Sequence, residues 1–165
     1  MNNRNNLLVF DRYDHHKGFY NDGNPTDPLE KIYYNDFFDS PDDEDFPYFS
    51  AYQLLCGSCH LFALSLRKLL GYNVYIIEGI NERGFHVFCQ INKYKKWYYV
   101  DARGITSSFS EFMDIAQTFV TDEYIIRQID NDDIAEWEDD DYYEEATAFA
   151  EAVINKYKEC YTLEQ

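Results

Sequence analysis

Apolar residues in the middle of the chain follow first the spacing of a helix and then that of strands. From about Gly57, leucine and phenylalanine residues fall three and four positions apart until Gly71, which predicts a buried helix that ends at this glycine. The segments 73–79, 85–91 and 97–101 are rich in β-branched and aromatic residues and predict strands. The order therefore predicts one helix followed by at least three strands.

The last two of these strands flank a short polar segment, residues 92–95, which is typical of a four-residue hairpin loop. Antiparallel partners around a fixed turn have a constant sum of residue numbers. With the centre of the turn between Lys93 and Tyr94, His86 lies directly opposite Asp101. Opposite residues share a face and have Cβ atoms about 4.5–5.5 Å apart. The hairpin is therefore predicted to hold this imidazole against this carboxylate.

The C-terminal third continues with further predicted elements. Ser107 and Ser108 precede a predicted helix that ends near Thr118, and residues 124–129 predict another strand. We expect the acidic residues 130–141 to form a cap or a linker between the neighbouring elements. A closing helix is predicted over residues 142–157, because apolar residues recur along one face of it. These residues are Ala146, Phe149, Ala150, Val153 and Tyr157.

Length and composition suit one domain with one core, because the chain has 165 residues of which 45% are hydrophobic. All four prolines and an acidic run lie in residues 1–49, where the apolar residues follow neither helical nor strand spacing. We therefore expect this part to wrap irregularly around the rest of the domain. We expect the core to span residues 50–129. Residues 130–165 would then add an acidic linker and the C-terminal helix, all within a single domain over residues 1–165.

The charge of the chain limits the classes of partner. Asp and Glu number 31 against 14 Lys and Arg, which gives a formal net charge of −17. A field of this sign repels phosphate backbones and anionic lipids, so direct binding to nucleic acid or a membrane is not expected, whereas a basic protein partner fits. No apolar run approaches a membrane span, and residues 1–11 lack the features of a secretory signal. We therefore expect a cytoplasmic protein.

Cys59 is the strongest candidate for chemistry, since it stands in the first turn of the predicted helix. Unpaired amides and the helix dipole at this position favour a thiolate over a thiol. A thiolate nucleophile also needs an imidazole that accepts and returns a proton, and an acceptor that orients the imidazole. His86 and Asp101 supply both. The sequence therefore predicts a Cys59, His86 and Asp101 triad that needs no cofactor.

Three segments resemble, in the same order, the motifs of transglutaminase-like cysteine enzymes. Gly-Ser-Cys-His-Leu-Phe-Ala at residues 57–63 is similar to their Gly-x-Cys-Trp-x-Phe-Ala nucleophile segment. Phe-His-Val at 85–87 resembles their His strand, and Trp-Tyr-Tyr-Val-Asp-Ala at 97–102 resembles the strand that follows. The resemblance covers residues 53–104. It implies an α+β, papain-like (transglutaminase-like) fold in which the helix that carries the nucleophile packs on an antiparallel sheet.

Gln53 extends the likeness to papain-like proteases, whose nucleophile segment also has Gln six residues before the cysteine. By this resemblance, Gln53 is the candidate oxyanion-hole donor beside the backbone amide of Cys59. His60 stands where both families have Trp. The interval from Cys59 to His86 is far shorter than in papain, so the compact transglutaminase-like arrangement fits better.

The resemblance implies attack on an amide or acyl group through a covalent thioester, with a protein or peptide as substrate. Water as the second nucleophile would give a peptidase or a glutamine deamidase, whereas an amine would give a transglutaminase, and the sequence does not choose among these. Trp97 and His60 are the candidates for contact with substrate. A second hypothesis is a catalytically silent protein that keeps the fold and binds a basic partner through its acidic surface.

Zinc binding is an alternative use of the same residues, because Cys56, Cys59, His86 and Cys89 offer four ligands at knuckle-like spacing. His86 and Cys89 are three positions apart on one predicted strand and therefore point to opposite faces, which argues against a shared ion. Cys89 is then expected in the core. The remaining cysteine, Cys160, is expected at the surface or at a helix end.

Overall fold

An antiparallel sheet lies at the centre of the fold. The structure is a computed structural model, and it describes residues 54–55, 57–80, 85–116 and 123–163. Five strands lie in the order β4-β3-β2-β1-β5, with every neighbouring pair antiparallel. They are β1 (Asn73–Gly79), β2 (Phe85–Lys93), β3 (Lys96–Asp101), β4 (Gly104–Thr106) and β5 (Tyr124–Gln128).

Helices cover both faces of this sheet. In chain order they are α1 (Cys59–Leu70), α2 (Phe109–Ala116), α3 (Asn131–Glu138), α4 (Tyr143–Lys156) and α5 (Lys158–Tyr161). The expected α+β class is confirmed in this coarse sense. Each of these helices is too short or too polar to cross a membrane, as far as the described ranges go. The wrapping segment expected over residues 1–49 lies outside the described residues.

The two faces of the sheet bury different clusters, because successive side chains of a strand point to opposite sides. On the first face, Val87 and Cys89 of β2 and Val100 of β3 pack against α1, and α4 packs on α1 within the same cluster. On the second face, Phe88 and its neighbour Ile77 pack with Phe112 and Met113 of α2. His86 and Asp101 belong to the second face.

Helix α1 forms where the leucine spacing predicts it and ends at Gly71. This glycine has φ 74°, in the left-handed region, and its N–H donates to the carbonyl of Arg67 at 2.9 Å. A left-handed glycine after the last turn satisfies an otherwise open helix carbonyl. Arg67 and Lys68 in the last turn also suit the negative end of the helix dipole.

The turn between β2 and β3 has two residues, so the predicted four-residue loop is wrong. Tyr94 and Lys95 both have positive φ, 57° and 61°, which is the backbone of a type I′ hairpin turn. Lys93 pairs with Lys96, and the centre of the turn lies one residue later than predicted. The register therefore moves by two residues, and His86 is not directly opposite Asp101. Because two is an even number, both side chains stay on the same face.

A short strand follows β3 that the sequence analysis does not predict. Asp101 pairs with Gly104, so Ala102 and Arg103 form the turn that leads into β4. Gly104 has φ 124°, a backbone conformation that favours glycine. With three residues, β4 is too short to show a period of its own, although all three of its residues are buried.

The acidic segment after β5 forms helix α3, which corrects the expectation of a cap or linker over residues 130–141. Asp130 is the N-cap, and its carboxylate accepts from the backbone N–H groups of Asp132 and Asp133. The Asp133 carboxylate accepts in return from the Asp130 N–H, which completes a capping box. Carboxylates in the first turn also suit the positive end of the helix dipole. The local concentration of Asp thus starts a helix.

The C-terminal helices belong to the same core as α1. Helix α4 confirms the predicted closing helix, and its predicted apolar face is buried against α1. The short helix α5 was not predicted from the sequence. It places Cys160 in the core, so the surface alternative for this cysteine is wrong, whereas the helix-end alternative agrees with the structure. The Tyr161 hydroxyl donates to the carbonyl of Ala102 at 2.9 Å and joins α5 to the turn after β3.

The remaining predicted elements agree with the structure within a few residues. Helix α2 begins directly after Ser107 and Ser108, and β5 occupies the predicted position. The predicted end of α2 near Thr118 lies outside the described residues.

Replacing the turn residues tests the register of the hairpin. The double variant Tyr94→Asn with Lys95→Gly should raise the free energy of unfolding by about 1 kcal/mol, because Asn and Gly adopt positive φ with less strain. The matched control, Tyr94→Ala with Lys95→Ala, removes the same side chains but keeps the strain. Denaturant unfolding measures both variants. A gain in the control equal to that of the Asn-Gly variant would contradict the two-residue turn.

Removing the Asp133 carboxylate tests the anchoring of α3. Hydrogen bonds from Arg127, at 2.6 and 2.9 Å, lower the pKa of Asp133 to about 2. A carboxyl with a lowered folded-state pKa stabilises the protein above its unfolded pKa of about 3.9, and this contribution is lost as the pH falls toward 2. We therefore expect Asp133→Asn to lose ~1 kcal/mol at pH 7 and to match the wild type near pH 2.

Thermal unfolding between pH 2 and pH 7 measures this difference. Asp132→Asn is the matched control, since Asp132 is an exposed carboxylate in the same turn. A loss for Asp133→Asn that stays constant over the whole pH range would contradict the assignment.

Candidate active site

Cys59 is the first residue of α1, and Ser58 before it is the N-cap. Its side chain is buried, with 6% of the residue exposed. The Sγ atom accepts from the backbone N–H of Val87 in β2 at 3.5 Å. Both this amide and the N-terminal end of the helix favour negative charge on the sulfur. The position agrees with what a thiolate nucleophile requires.

The sulfur meets β2 where this strand has separated from β3. The β2–β3 ladder ends at the pair of Cys89 and Val100, so the residues of β2 before Cys89 are not paired with β3. The first turn of α1 approaches β2 in this interval. Val87, whose N–H contacts the sulfur, directly follows His86. The candidate nucleophile therefore contacts the strand residue next to the candidate base, although α1 and the imidazole belong to different faces of the sheet.

His86 and Asp101 are in contact, as the hairpin argument predicts, but as diagonal neighbours. Their Nε2 and Oδ2 atoms are 3.0 Å apart, and both side chains are almost completely buried. The imidazole stacks on the ring of Phe88 and packs against Phe112, with ring centroids 6.4 and 5.8 Å away. Aromatic rings on two sides leave the imidazole little freedom to turn.

Arg103 is the residue that the sequence analysis missed. It is fully buried, and its Nε and Nη2 atoms donate to the two oxygens of Asp101 at 2.8 to 3.2 Å. Its backbone N–H donates to Oδ1 of the same carboxylate at 2.9 Å. The signal in the sequence is the pair of charges between the apolar residues Val100 and Ile105. Opposite charges two positions apart at the end of a buried strand suggest an internal ion pair.

The Asp101 carboxylate is held in its ionised form. Burial alone would raise the pKa of this carboxyl, but the charge of Arg103 and the hydrogen bonds from His86 and Arg103 hold the pKa well below its usual range. An ionised carboxylate only accepts hydrogen bonds, so it pairs with His86 when the facing nitrogen, Nε2, carries a proton. Proton exchange with a thiol or a substrate then has to pass through Nδ1.

The two candidates for substrate contact have different surroundings. His60 is buried between α1 and α3, with its Nε2 3.5 Å from Asp140 and its ring centroid 5.5 Å from that of Trp137. Burial lowers the pKa of His60. Trp97 is 46% exposed and lies on the same face of β3 as Asp101, four residues or roughly 13 Å along the strand. Trp97 is therefore accessible, whereas His60 packs in an interface between helices.

Gln53 and Cys56 lie outside the described residues, so the oxyanion role of Gln53 stays a prediction.

The described members of the alternative zinc set do not converge. Cys89 donates to the carbonyl of Ala63 in α1 at 3.5 Å, and burial raises the pKa of its thiol well above the usual range. His86 contacts Asp101 on the other face. The structure describes no group of three or more His, Cys, Asp or Glu residues, within its ranges, that could hold a metal ion.

A surface cleft of about 280 Å³ lies at the other end of α1, between Leu70, Tyr72, Ile91 and Leu163. The 12 residues of α1 separate it from Cys59 by roughly 17 Å. The cleft therefore belongs to a different part of the molecule from the candidate triad.

Comparison of the chain with protein-family models, with curated proteins and with solved structures finds no match.

Proposed function

We propose that this protein is a cysteine-dependent hydrolase of the papain-like, transglutaminase-like type, which cleaves an amide bond through a thioester intermediate. One observation carries the proposal. The sulfur of Cys59, at the start of a buried helix, contacts the strand residue next to His86, and His86 in turn contacts Asp101. A thiol, an imidazole and an orienting carboxylate are the groups that nucleophilic catalysis by cysteine needs.

In the proposed first half-reaction, the Cys59 thiol gives its proton to Nδ1 of His86, and the sulfur attacks the carbonyl carbon of the substrate. The carbonyl π electrons move to oxygen and form a tetrahedral oxyanion. When the carbonyl re-forms, the carbon–nitrogen bond breaks, and His86 passes its proton to the leaving nitrogen. Asp101 accepts from Nε2–H throughout and stabilises the imidazolium that forms. The products are a free amine or ammonia and a Cys59 thioester.

In the second half-reaction, His86 removes a proton from water, and the resulting hydroxide attacks the thioester carbon. The carbon–sulfur bond breaks, the sulfur regains the proton from His86, and a carboxylic acid leaves. Peptidase and glutamine deamidase activity share these steps, and a transglutaminase would use an amine in place of water. We favour water because a small acidic domain offers few surfaces that could organise a second amine substrate.

The surroundings of Cys59 indicate how a substrate would reach it. The sulfur is buried beneath β2, whereas Gly57, two residues earlier, is exposed. We expect a protein or peptide substrate to approach over the N-terminus of α1. The helix amides there would lie close to the developing oxyanion and would stabilise its charge.

The pH dependence of alkylation by iodoacetamide tests the proposed nucleophile. Mass spectrometry reads the reaction at each cysteine of the folded protein. We expect Cys59 to react faster than an ordinary thiol at pH 7, and His86→Ala to slow this reaction about tenfold at pH 7, because the thiol loses the imidazole that accepts its proton. Cys89 is the internal control, since its buried thiol should stay unreacted while the protein is folded.

An ordinary thiol titration at Cys59, or a rate that His86→Ala leaves unchanged, would contradict the proposal. A reactive Cys59 justifies a screen of peptide and glutamine amides, with Cys59→Ala as the inactive control. Capture of an acyl group on Cys59, seen as a mass increase on that residue, would then identify the substrate class. An unreactive Cys59 together with a salt-sensitive basic partner would instead favour the interaction protein.

A further inference from the structure

Arg103 is a permanent cation inside the core. It is fully buried, it makes a two-nitrogen contact with Asp101, and its Nη2 also donates to the backbone carbonyl of Phe112 at 2.9 Å. Its guanidinium carbon lies 5.9 Å from the centroid of the Phe112 ring. One side chain therefore contacts the carboxylate that holds His86 and the aromatic residue that packs against His86.

A buried ion pair is an expensive way to stabilise a fold. Desolvation of the two charges offsets much of their attraction, and well-packed apolar residues in the same place are often as stable. Arginine is also the cation that matches a carboxylate in a planar, two-point geometry and that does not lose its proton in proteins. The contacts of Arg103 thus indicate that it controls the ionisation and orientation of the Asp101 carboxylate, in addition to stabilising the turn.

We propose that Arg103 is a positioning residue that keeps Asp101 ionised and fixed, so that His86 carries its neutral-form proton on Nε2 and offers Nδ1 to Cys59. This inference rests on the proposed function, because the tautomer matters only if His86 accepts a proton from Cys59. The tautomer itself does not depend on a bound substrate. The described contacts of Arg103 are with Asp101 and Phe112, which are not reacting groups in the proposed steps. It acts on the imidazole through the carboxylate of Asp101 and through the position of Phe112.

Arg103 can have this effect because a buried carboxyl without a cation beside it does not stay ionised next to a neutral imidazole. Without the Arg103 side chain, the carboxyl of Asp101 would have His86 as its remaining side-chain partner among the contacts described for it, and no permanent cation beside it. A buried carboxyl in this situation takes up a proton and becomes a donor, or draws a second proton onto the imidazole. In the first case His86 would have to accept at Nε2 and carry its proton on Nδ1. In the second case Nδ1 is already protonated. Neither form accepts the proton of Cys59.

The position of the imidazole proton is directly measurable by NMR. The full-length protein, labelled with ¹⁵N in the histidine rings, gives two-bond ¹H–¹⁵N correlations whose pattern distinguishes the two neutral tautomers and the imidazolium. We expect the His86 signals of the wild type at neutral pH to show the Nε2–H tautomer, and His86→Gln assigns them. A wild type in which His86 carries the neutral-form proton on Nδ1 would overturn the proposal.

Two substitutions at Arg103 separate charge from packing. Arg103→Met keeps an unbranched side chain without the charge, and we expect the Nε2–H pattern to be lost. Arg103→Lys keeps the charge but not the two-point contact, and we expect it to restore the wild-type pattern in most molecules. Unchanged His86 signals in Arg103→Met would overturn the proposal. If Arg103→Met does not fold, Arg103→Gln replaces it, because it also removes the charge. We expect the same loss of the Nε2–H pattern, and unchanged His86 signals would again overturn the proposal.

Arg127→Met is the matched control for these variants. Arg127 also contacts two carboxylates, those of Glu78 and Asp133, but on the other face of the sheet. Its substitution removes ion pairs of the same kind, so a change in His86 signals there would point to a general structural effect. The readout is also independent of the proposed function. An unreactive Cys59 with an Nε2–H imidazole would refute the hydrolase and leave the role of Arg103 standing.

Discussion

The ion pair between Asp101 and Arg103 is the constraint on which the rest of the structure depends. Two charges that leave water need close partners, and here one carboxylate accepts from the backbone and side chain of Arg103 and lies 3.0 Å from His86 Nε2. The same pair forms the turn between β3 and β4 and reaches the backbone of α2 at Phe112. The geometry around the imidazole follows from it.

The second determinant is the separation of β2 from β3 near this ion pair. A continuous ladder would use the backbone edge of β2, and the first turn of α1 could not reach it. Because the ladder ends at Cys89 and Val100, the N–H of Val87 contacts the sulfur of Cys59. Helix α4, which packs on α1, keeps the helix in place from the outer side. Sheet geometry thus brings the sulfur of Cys59 to the strand residue next to His86.

Much of this arrangement could be predicted from the sequence, in those segments where apolar residues follow the spacing of either a helix or a strand. The leucines of α1 and the apolar face of α4 are buried on one side, the β-branched residues of β1 are buried on both faces of the sheet, and the positions of all three elements agree with the structure. The hairpin register was wrong because Tyr94 and Lys95 occupy positive φ without the Asn or Gly that marks such a turn. The contact of His86 with Asp101 survived this error because a shift of two residues keeps the face. Arg103 was missed because the sequence alone does not show that a charged residue is buried. Its position in the core becomes clear only from its contact with Asp101.

A double-mutant cycle between Asp101 and Arg103 tests the central claim most directly, with the free energy of unfolding as the readout. The account predicts that Asp101→Asn and Arg103→Met each cost about 3 kcal/mol or more, because each leaves one buried charge without its counterpart. The double variant should lose clearly less than the sum of the two, because it removes both charges together. Additive losses would contradict the account, since they would mean that the two side chains stabilise the fold independently.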